Sequence, residues 1–261
     1  MRVAKVRTVF LISIVLIVCL AFFLSVANPS FEAASSKRQE KSINKPEETP
    51  LPVAIFSLPK SNEPAQQTLR SARNSRYDQS YPNRLDELRP DTVERSRISH
   101  FWVNMPALPT SESDAVILGE IMEANGYVSN DKTGAYSEFT VRIERVFKDD
   151  GRLADGVIVA EREGADVQLP DGRIIRYRIA DQGMPGTGRH YVLFLKYDDQ
   201  GKDYHILTGY RLHKERVSPL DNSVGRFAAY KDSDTNTFLS AVSAAVTHPP
   251  LPPQDMKRPN Q

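Results

Sequence analysis

Residues 139–147, with the sequence FTVRIERVF, decide the fold class of this chain. Apolar and polar residues alternate from Phe139 to Glu144, so that Phe139, Val141 and Ile143 share one face. A period of two residues is typical of a β-strand with one buried and one solvent-facing side. At residues 145–147 the alternation slips by one residue, which predicts a bulge or the end of the strand.

Further strands are predicted on both sides of this segment. Upstream, residues 115–124 (AVILGEIMEA) form a strand in which Gly119 marks a bulge or bend. Residues 191–195 (YVLFL) are continuously apolar, which predicts a strand buried on both faces. Four more segments are predicted as strands, at residues 156–161, 166–169, 173–179 and 204–208. The second and third of these form a hairpin with Asp171 and Gly172 in its turn.

One helix is predicted near the C-terminal end of this region. Residues 232–235 (DSDT) offer side chains that cap a helix N-terminus. Phe238, Leu239 and Val242 then follow at helical spacing. The fold class is therefore all-β, a small barrel or sandwich with one C-terminal helix.

The N-terminus predicts export. Arg2, Lys5 and Arg7 precede an apolar run from Val9 to Leu24 that continues to Ala27. Two interpretations remain: a signal peptide cleaved after the small residues 25–27, or an uncleaved anchor. The run favours the anchor, because about 20 residues at ~1.5 Å each span a hydrocarbon core of ~30 Å. Since basic residues stay in the cytoplasm, the chain after Asn28 is predicted to lie outside it.

Composition divides the chain into four parts. These are the anchor or signal peptide at 1–27, a disordered Pro/Arg-rich linker at 28–97, a β-barrel domain at 98–246 and a Pro-rich disordered tail at 247–261. The linker arginines, among them Arg70, Arg73 and Arg76, allow two interpretations. They form a patch for anionic lipid headgroups, cell-wall polymers or the acidic domain downstream, or they belong to a solvated linker.

Charge and cysteine content exclude several classes of protein. The chain has 34 Lys and Arg against 33 Asp and Glu, a net charge of +1, which argues against a nucleic-acid partner. Residues 98–246 alone hold 17 basic and 22 acidic residues. The single cysteine, Cys19, lies in the apolar run, so that no intramolecular disulfide and no multi-cysteine metal site can form.

The sequence predicts no catalytic residue, no cofactor and no metal ligands. None of the five histidines belongs to a short ligand motif. Residues 232–236 begin like a calcium loop but lack its glycine and its final glutamate. Residues 183–188 are glycine-rich but lack a following Lys-Ser/Thr, which favours a flexible connection over a phosphate site. Two pairs of carboxylates, Glu161 with Glu163 and Asp149 with Asp150, are candidates for glycoside hydrolysis.

A binding surface is predicted from the aromatic residues expected to be partly exposed, where they would stack on sugars or a peptide. Arg189 joins this surface because it follows the glycine-rich loop, whose position suits the mouth of a site. The candidate residues are Trp102, Tyr127, Tyr136, Tyr177 and Arg189. For Trp102 the alternative is that residues 101–103 seal one end of the barrel.

Four segments carry a resemblance to a known fold: residues 116–120 (VILGE), 141–148 (VRIERVFK), 157–159 (VIV) and 191–196 (YVLFLK). They resemble exported bacterial β-domains that look like the oligonucleotide/oligosaccharide-binding (OB) barrel of the tissue inhibitors of metalloproteinases. The resemblance covers about residues 114–212 and implies an OB-like barrel. It departs from the family pattern after Lys148, where residues 149–151 (DDG) stand in place of a single glycine.

The resemblance does not imply that this chain shares the inhibitory mechanism of that family. The eukaryotic inhibitors chelate the zinc of their target through an N-terminal cysteine, and this chain has no cysteine outside the apolar run. We therefore expect a membrane-tethered, extracytoplasmic binding or scaffolding module. Its expected partners are the membrane, through residues 9–27, and an envelope protein or polymer. The alternatives are an exported hydrolase and a secreted inhibitor-like domain without the cysteine.

Overall fold

The computed structural model describes residues 49–57, 63–79, 83–98, 105–153, 156–221 and 225–248. Its strands are β1 Val53–Ile55, β2 Glu94–Arg97, β3 Ala115–Val128, β4 Ala135–Lys148, β5 Val157–Glu163, β6 Ala165–Gln168, β7 Ile174–Ile179, β8 His190–Asp198, β9 Asp203–His213 and β10 Arg216–Pro219. Its helices are α1 Pro64–Ser75 and α2 Thr235–Thr247, with short 3-10 helices at Leu85–Glu87 and Gly225–Tyr230.

The described helices include none that is both long and apolar enough to cross a membrane. The predicted anchor at residues 9–27 lies outside the described residues, as do Trp102 and most of the predicted tail.

The quoted segment forms most of β4, which pairs with β3 in a long antiparallel hairpin. Phe139 and Val141 are completely buried while Arg142 is exposed, so that the predicted alternation is confirmed. The register shifts between Leu118 and Gly119 and again between residues 116 and 117. These shifts leave one extra β4 residue at each point, which confirms the bulges predicted near Gly119 and at residues 145–147.

Five of the strands are joined in a closed circuit of pairings. β3 pairs with β4 and β8, β4 with β5, and β8 with β9, all antiparallel. Parallel pairing of β5 with β9, through Ala160–Tyr204 and Glu161–His205, closes the circuit. A core cluster that includes Phe139 and Leu193 is built from these five strands. The predicted all-β class is confirmed.

The C-terminal helix packs on the other side of β8 and β9. Val192 and Phe194 of β8 contact a second core cluster that contains Phe238 and Val242 of α2. The predicted burial of β8 on both faces is therefore confirmed. Asp234 caps the helix by accepting a hydrogen bond from the Thr237 backbone N–H, which confirms the predicted cap.

The described residues between positions 49 and 98, which we call the arm, fold against the strands. β1 lies between β3 and β6, parallel to both, and β2 extends the sheet beside β7. Phe56 and Leu85 of the arm pack in a third core cluster with Val167 and Ile175 of the β6–β7 hairpin. The prediction of a disordered linker is wrong for the arm, so that the folded domain begins about 49 residues earlier than the predicted residue 98.

Candidate functional site

The arm carries three arginines at a spacing of three residues. Arg70 and Arg73 lie in α1, and Arg76 lies in the turn that follows the helix. Positions three apart lie on neighbouring turns of one helical face, so that the three guanidinium groups point toward the same surface. The helix contains no acidic residue, and its N-terminal half is exposed.

Three buried carboxylates face these arginines. Glu138 of β4, Glu161 of β5 and Asp203 of β9 have exposed fractions of 7%, 0% and 2%. Glu138 and Glu161 are direct neighbours in the β4–β5 ladder, and β9 lies beside β5, so that the closed circuit of strands brings the three together. Their carboxylate oxygens lie within 4.8 Å of one another. Like charges at that distance require countercharges, which the arm supplies.

Each arginine binds these carboxylates, and we call the set of six side chains the arginine clamp. Arg70 forms a two-pronged ion pair with Glu138, one of whose contacts, Nη2 to Oε2, measures 3.1 Å. Arg73 bridges Glu138 at 3.2 Å and Asp203 at 3.0 Å. Arg76 bridges Glu161 at 2.5 Å and Asp203 at 2.7 Å.

Polar and aromatic contacts extend the clamp toward the end of the arm helix. Tyr77 is buried, stacks on Tyr136 with 4.5 Å between ring centroids, and donates to Glu161 at 2.8 Å. The Gln79 side chain donates to Glu163, and its backbone N–H donates to Asp131 at 2.9 Å. Buried polar groups are costly unless they are hydrogen-bonded, and here the arm satisfies groups that strands β4 and β5 would otherwise leave unpaired.

Burial in the clamp shifts the pKa values of two of its carboxyl groups. Burial raises the pKa of Glu161 to about 7, against the opposing effect of the Arg76 charge. Burial and the neighbouring Glu161 charge raise the pKa of Asp203 to about 7. Glu161 and Asp203 therefore gain and lose protons near neutral pH.

These raised pKa values predict that the chain loses stability as the pH rises through neutrality. Folded Glu161 and Asp203 hold protons up to a pH of about 7, whereas unfolded carboxyl groups ionise near pH 4. Between about pH 4 and pH 7 the folded state therefore binds more protons than the unfolded state, so that its stability falls as the pH rises through this range and levels off above it. We expect a lower urea midpoint at about pH 8 than at about pH 6.5.

The pH range is chosen to separate these groups from His205. Burial and the Arg162 and Arg76 charges lower the pKa of His205 to about 4, so that its contribution changes mainly between about pH 4 and 6.5 and has the opposite sign, a rise in stability with pH. Glu161→Gln should reduce the difference between the two midpoints, while Asp86→Asn, at an exposed pair, should leave it unchanged. A midpoint that is higher at pH 8 would contradict the assignment.

An open groove of about 1140 Å³ lies beside the clamp. One wall is α1 from Gln66 to Ser75. The remainder is formed by Ile55 of β1, residues 126–128 of β3, and Asn130 and Lys132 of the loop after β3. A Cβ at Gly126 would lie 2.5 Å from the Ala54 backbone nitrogen, so that only glycine lets β1 approach β3 this closely.

The groove is polar, and its described lining carries basic side chains, two of which belong to the clamp. Arg70, Arg73 and Lys132 contribute to its lining, and the Arg70 guanidinium stands 3.6 Å above the Tyr127 ring. The described residues that line the groove include no aspartate, glutamate, histidine or cysteine. The volume of the groove is comparable with that of the larger ligand sites in proteins. The groove is therefore the candidate binding surface.

Of the residues predicted for a binding surface, Tyr127 lies in the groove. The predicted exposure of Tyr136 and Tyr177 is wrong, because the arm covers both rings and each is 0% exposed. Tyr136 donates to Asn74, and Tyr177 donates to Glu163. Arg189 is half-buried away from the described groove lining and donates to the Thr49 hydroxyl. The predicted surface is therefore not brought together as one patch.

The candidate carboxylate pair Glu161 and Glu163 is occupied by the arm. Glu161 is sealed beneath Arg76 and Tyr77, and Glu163 accepts from Arg97 at 2.8 Å. The glycine-rich loop is also anchored, since Arg162 donates to the Gly183 carbonyl and forms a completely buried ion pair with Asp221 at 2.7 Å. These groups stabilise the fold around the groove.

Among the residues that the structure describes, two side-chain clusters have the spacing of metal ligands. One is the carboxylate set of the clamp, and the other is Glu120, Glu144 and His190 on the surface of β3, β4 and β8. In each cluster an arginine already pairs with a carboxylate, Arg142 with Glu120 in the second. Ion pairing therefore accounts for both clusters.

The clamp is the feature that sequence reasoning did not identify. The spacing of Arg70, Arg73 and Arg76 was its available signal, and an acidic partner downstream was one of the interpretations of these residues. That interpretation is confirmed for these three arginines. The comparison of the chain with protein-family models, characterised proteins and solved structures finds no match.

Proposed function

We propose that this chain is a binding module held outside the cytoplasm by its N-terminal apolar segment, with the groove as its ligand site. The observation that carries the proposal is the groove itself, whose wall is a helix fixed to the strands by buried ion pairs. Ligand sites need rigid walls, because ordering a mobile wall on binding costs free energy.

The order of the paired strands supports an OB-type barrel as the scaffold. The strands of an OB barrel close in a ring of five, with the third and fifth parallel. The circuit formed by β3, β4, β5, β8 and β9 has this order, with β5 parallel to β9. In such barrels the face of the second and third strands binds ligands. Here the arm covers the corresponding face of β4 and β5, and the groove opens along the edge of the arm.

The lining favours binding over catalysis. General acid–base and nucleophilic catalysis use carboxylates, histidine or cysteine most often, and the described lining contains none of these. Of the candidate carboxylates, Glu161 is enclosed by the clamp and Glu163 is paired with Arg97. Asp149 and Asp150 are exposed and do not line the groove. An exported hydrolase and an inhibitor-like domain therefore rank below a binding module.

The tether follows from the charge pattern of the N-terminus. Basic residues at positions 2, 5 and 7 precede the apolar run at 9–27, a pattern that supports a location of the remaining chain outside the cytoplasm. Alkaline extraction of membranes tests this part: an integral anchor keeps the full-length chain in the pellet, whereas a cleaved signal peptide releases a chain that starts near Asn28.

The binding proposal is tested by filling the groove. Thr68 is an exposed groove residue whose hydroxyl bonds to the Pro64 carbonyl of its own helix. Thr247 of α2 makes the same bond to Ser243 and is not among the groove-lining residues, so that Thr247→Trp is the matched control.

We expect a panel of envelope polymers, glycans and peptides to include ligands that bind the wild-type chain and Thr247→Trp equally. Those ligands should bind Thr68→Trp at least about tenfold more weakly, a loss of about 1.4 kcal/mol. Equal binding of every ligand to all three proteins, or no binding to the wild-type chain, would contradict the proposal.

A further inference from the structure

We propose that the groove binds an acidic glycan, a sugar chain that carries carboxylate groups. This inference rests on the proposed function, since it names the ligand class of the same site. The lining combines Lys132 and the partly exposed Arg70, which also pairs with Glu138, with a wall of amide and hydroxyl side chains. It contains no carboxylate among its described residues, although acidic residues outnumber basic ones from residue 98 to residue 246. A cationic cleft in an acidic domain concentrates anionic ligands.

The cations are held in fixed positions. Arg70 is restrained by the Glu138 pair on one side and by the Tyr127 ring on the other. Lys132 has a left-handed backbone with φ of 66° and donates to the Phe56 carbonyl at 3.2 Å, which restrains its ammonium group beside the end of β1. Positioned cations recognise carboxylates without the cost of ordering a flexible side chain.

The wall supplies hydrogen-bonding groups for sugar hydroxyls. Gln67, Ser71 and Asn74 follow one another at helical spacing along α1, and Asn130 faces them from the loop after β3, donating to the Ser71 carbonyl at 2.9 Å. Amide and hydroxyl side chains both donate and accept, as sugar hydroxyls do. Neutral polar groups with a few cations therefore match a polyhydroxylated acid better than a purely ionic ligand.

The floor argues against an extended acidic peptide. Peptides commonly bind by adding a strand to a free sheet edge. The groove floor offers no such edge, because β1 is paired on one side with β3 and on the other with β6. A glycan does not need backbone hydrogen bonds from a strand edge, because the side chains of the protein can bind its hydroxyl and carboxylate groups.

The test uses the full chain in mild detergent and three probes of equal length. These are oligogalacturonate, its methyl-esterified form, in which the carboxylates are masked, and polyglutamate. We expect oligogalacturonate to bind about tenfold more tightly than either other probe. Its binding should weaken in Thr68→Trp and, by about tenfold, in Lys132→Gln. Lys214→Gln is the matched control, since Lys214 is an exposed lysine with φ of 48° that does not line the groove.

The outcomes separate the ligand class from the site. Polyglutamate binding most tightly, with the affinity lost in Thr68→Trp, would overturn the glycan and keep the groove. Preference for the esterified chain, or equal effects of Lys132→Gln and Lys214→Gln, would overturn recognition of carboxylates. Oligogalacturonate binding that Thr68→Trp leaves unchanged, or no binding of any probe, would overturn both the ligand class and the site.

Discussion

A chain that begins at residue 98 should not fold cooperatively, whereas one that spans residues 49–248 should. Removal of the arm takes two strands from the sheet and exposes the core cluster that Phe56 and Leu85 complete. It also leaves Glu138, Glu161 and Asp203 without the arginines that bind them. Buried charges without partners cost several kcal/mol each, which is comparable with the whole stability of a domain.

The measurement is urea unfolding followed by circular dichroism on both chains. The longer chain should give one sigmoidal transition, and the shorter chain should show no near-ultraviolet signal and no cooperative transition. Addition of a peptide of residues 49–97 in trans provides the control, because it restores the missing contacts without the covalent link. A shorter chain with a cooperative transition of equal midpoint would show that the arm is an appendage.

Arg76→Met should destabilise the chain by about 3–5 kcal/mol at a pH near 8, where the carboxylates are ionised. Arg76 binds both Glu161 and Asp203, and Glu161 is completely buried. Methionine keeps much of the apolar stem but leaves these carboxylates short of a countercharge. The matched control is Arg84→Met, because Arg84 forms an exposed pair with Asp86 and its loss should cost less than about 1 kcal/mol.

A second substitution separates charge from packing. If the loss in Arg76→Met comes from an unpaired carboxylate, then Glu161→Gln in the same chain should recover part of it. The recovery should be largest near pH 8 and smaller near pH 6, since the pKa of Glu161 is raised to about 7. Additive effects of the two substitutions at both pH values would contradict the ion pairing.

The strands could be predicted because their signal is local. Alternation in residues 139–147 indicates which face of β4 is buried. The Asp171-Gly172 turn predicts the β6–β7 hairpin, whose two strands are only a few residues apart in sequence. The helix cap at Asp234 is local in the same way. These features depend on the backbone and on neighbours close in sequence.

The arm could not be predicted from its composition. Few apolar residues, several prolines and many arginines indicate a segment that cannot bury enough apolar surface to fold alone. The partners of the arm lie far along the chain: Arg70 and Glu138 are 68 residues apart, and Arg76 and Asp203 are 127 apart. The composition of a segment indicates how much apolar surface it can bury by itself. It contains no information on the countercharges that a distant part of the chain provides.

The same omission explains the error over Tyr136. Alternation assigns Tyr136, Glu138 and Arg142 to the solvent-facing side of β4, and Arg142 is indeed exposed. The arm covers the first part of that side, so that Tyr136 and Glu138 are buried. An aromatic ring and a carboxylate on the polar face of a strand are consistent with either solvent or a polar covering segment, and the alternation does not distinguish them.

Hydrogen exchange of the full chain tests most directly whether the arm is part of the folded module. We predict that amides in the last turns of α1, residues 70–75, exchange as slowly as those in the centre of β4, because the clamp makes helix and strands one cooperative unit. Exchange of these amides at the rate of an unstructured peptide, while β4 remains protected, would contradict the account.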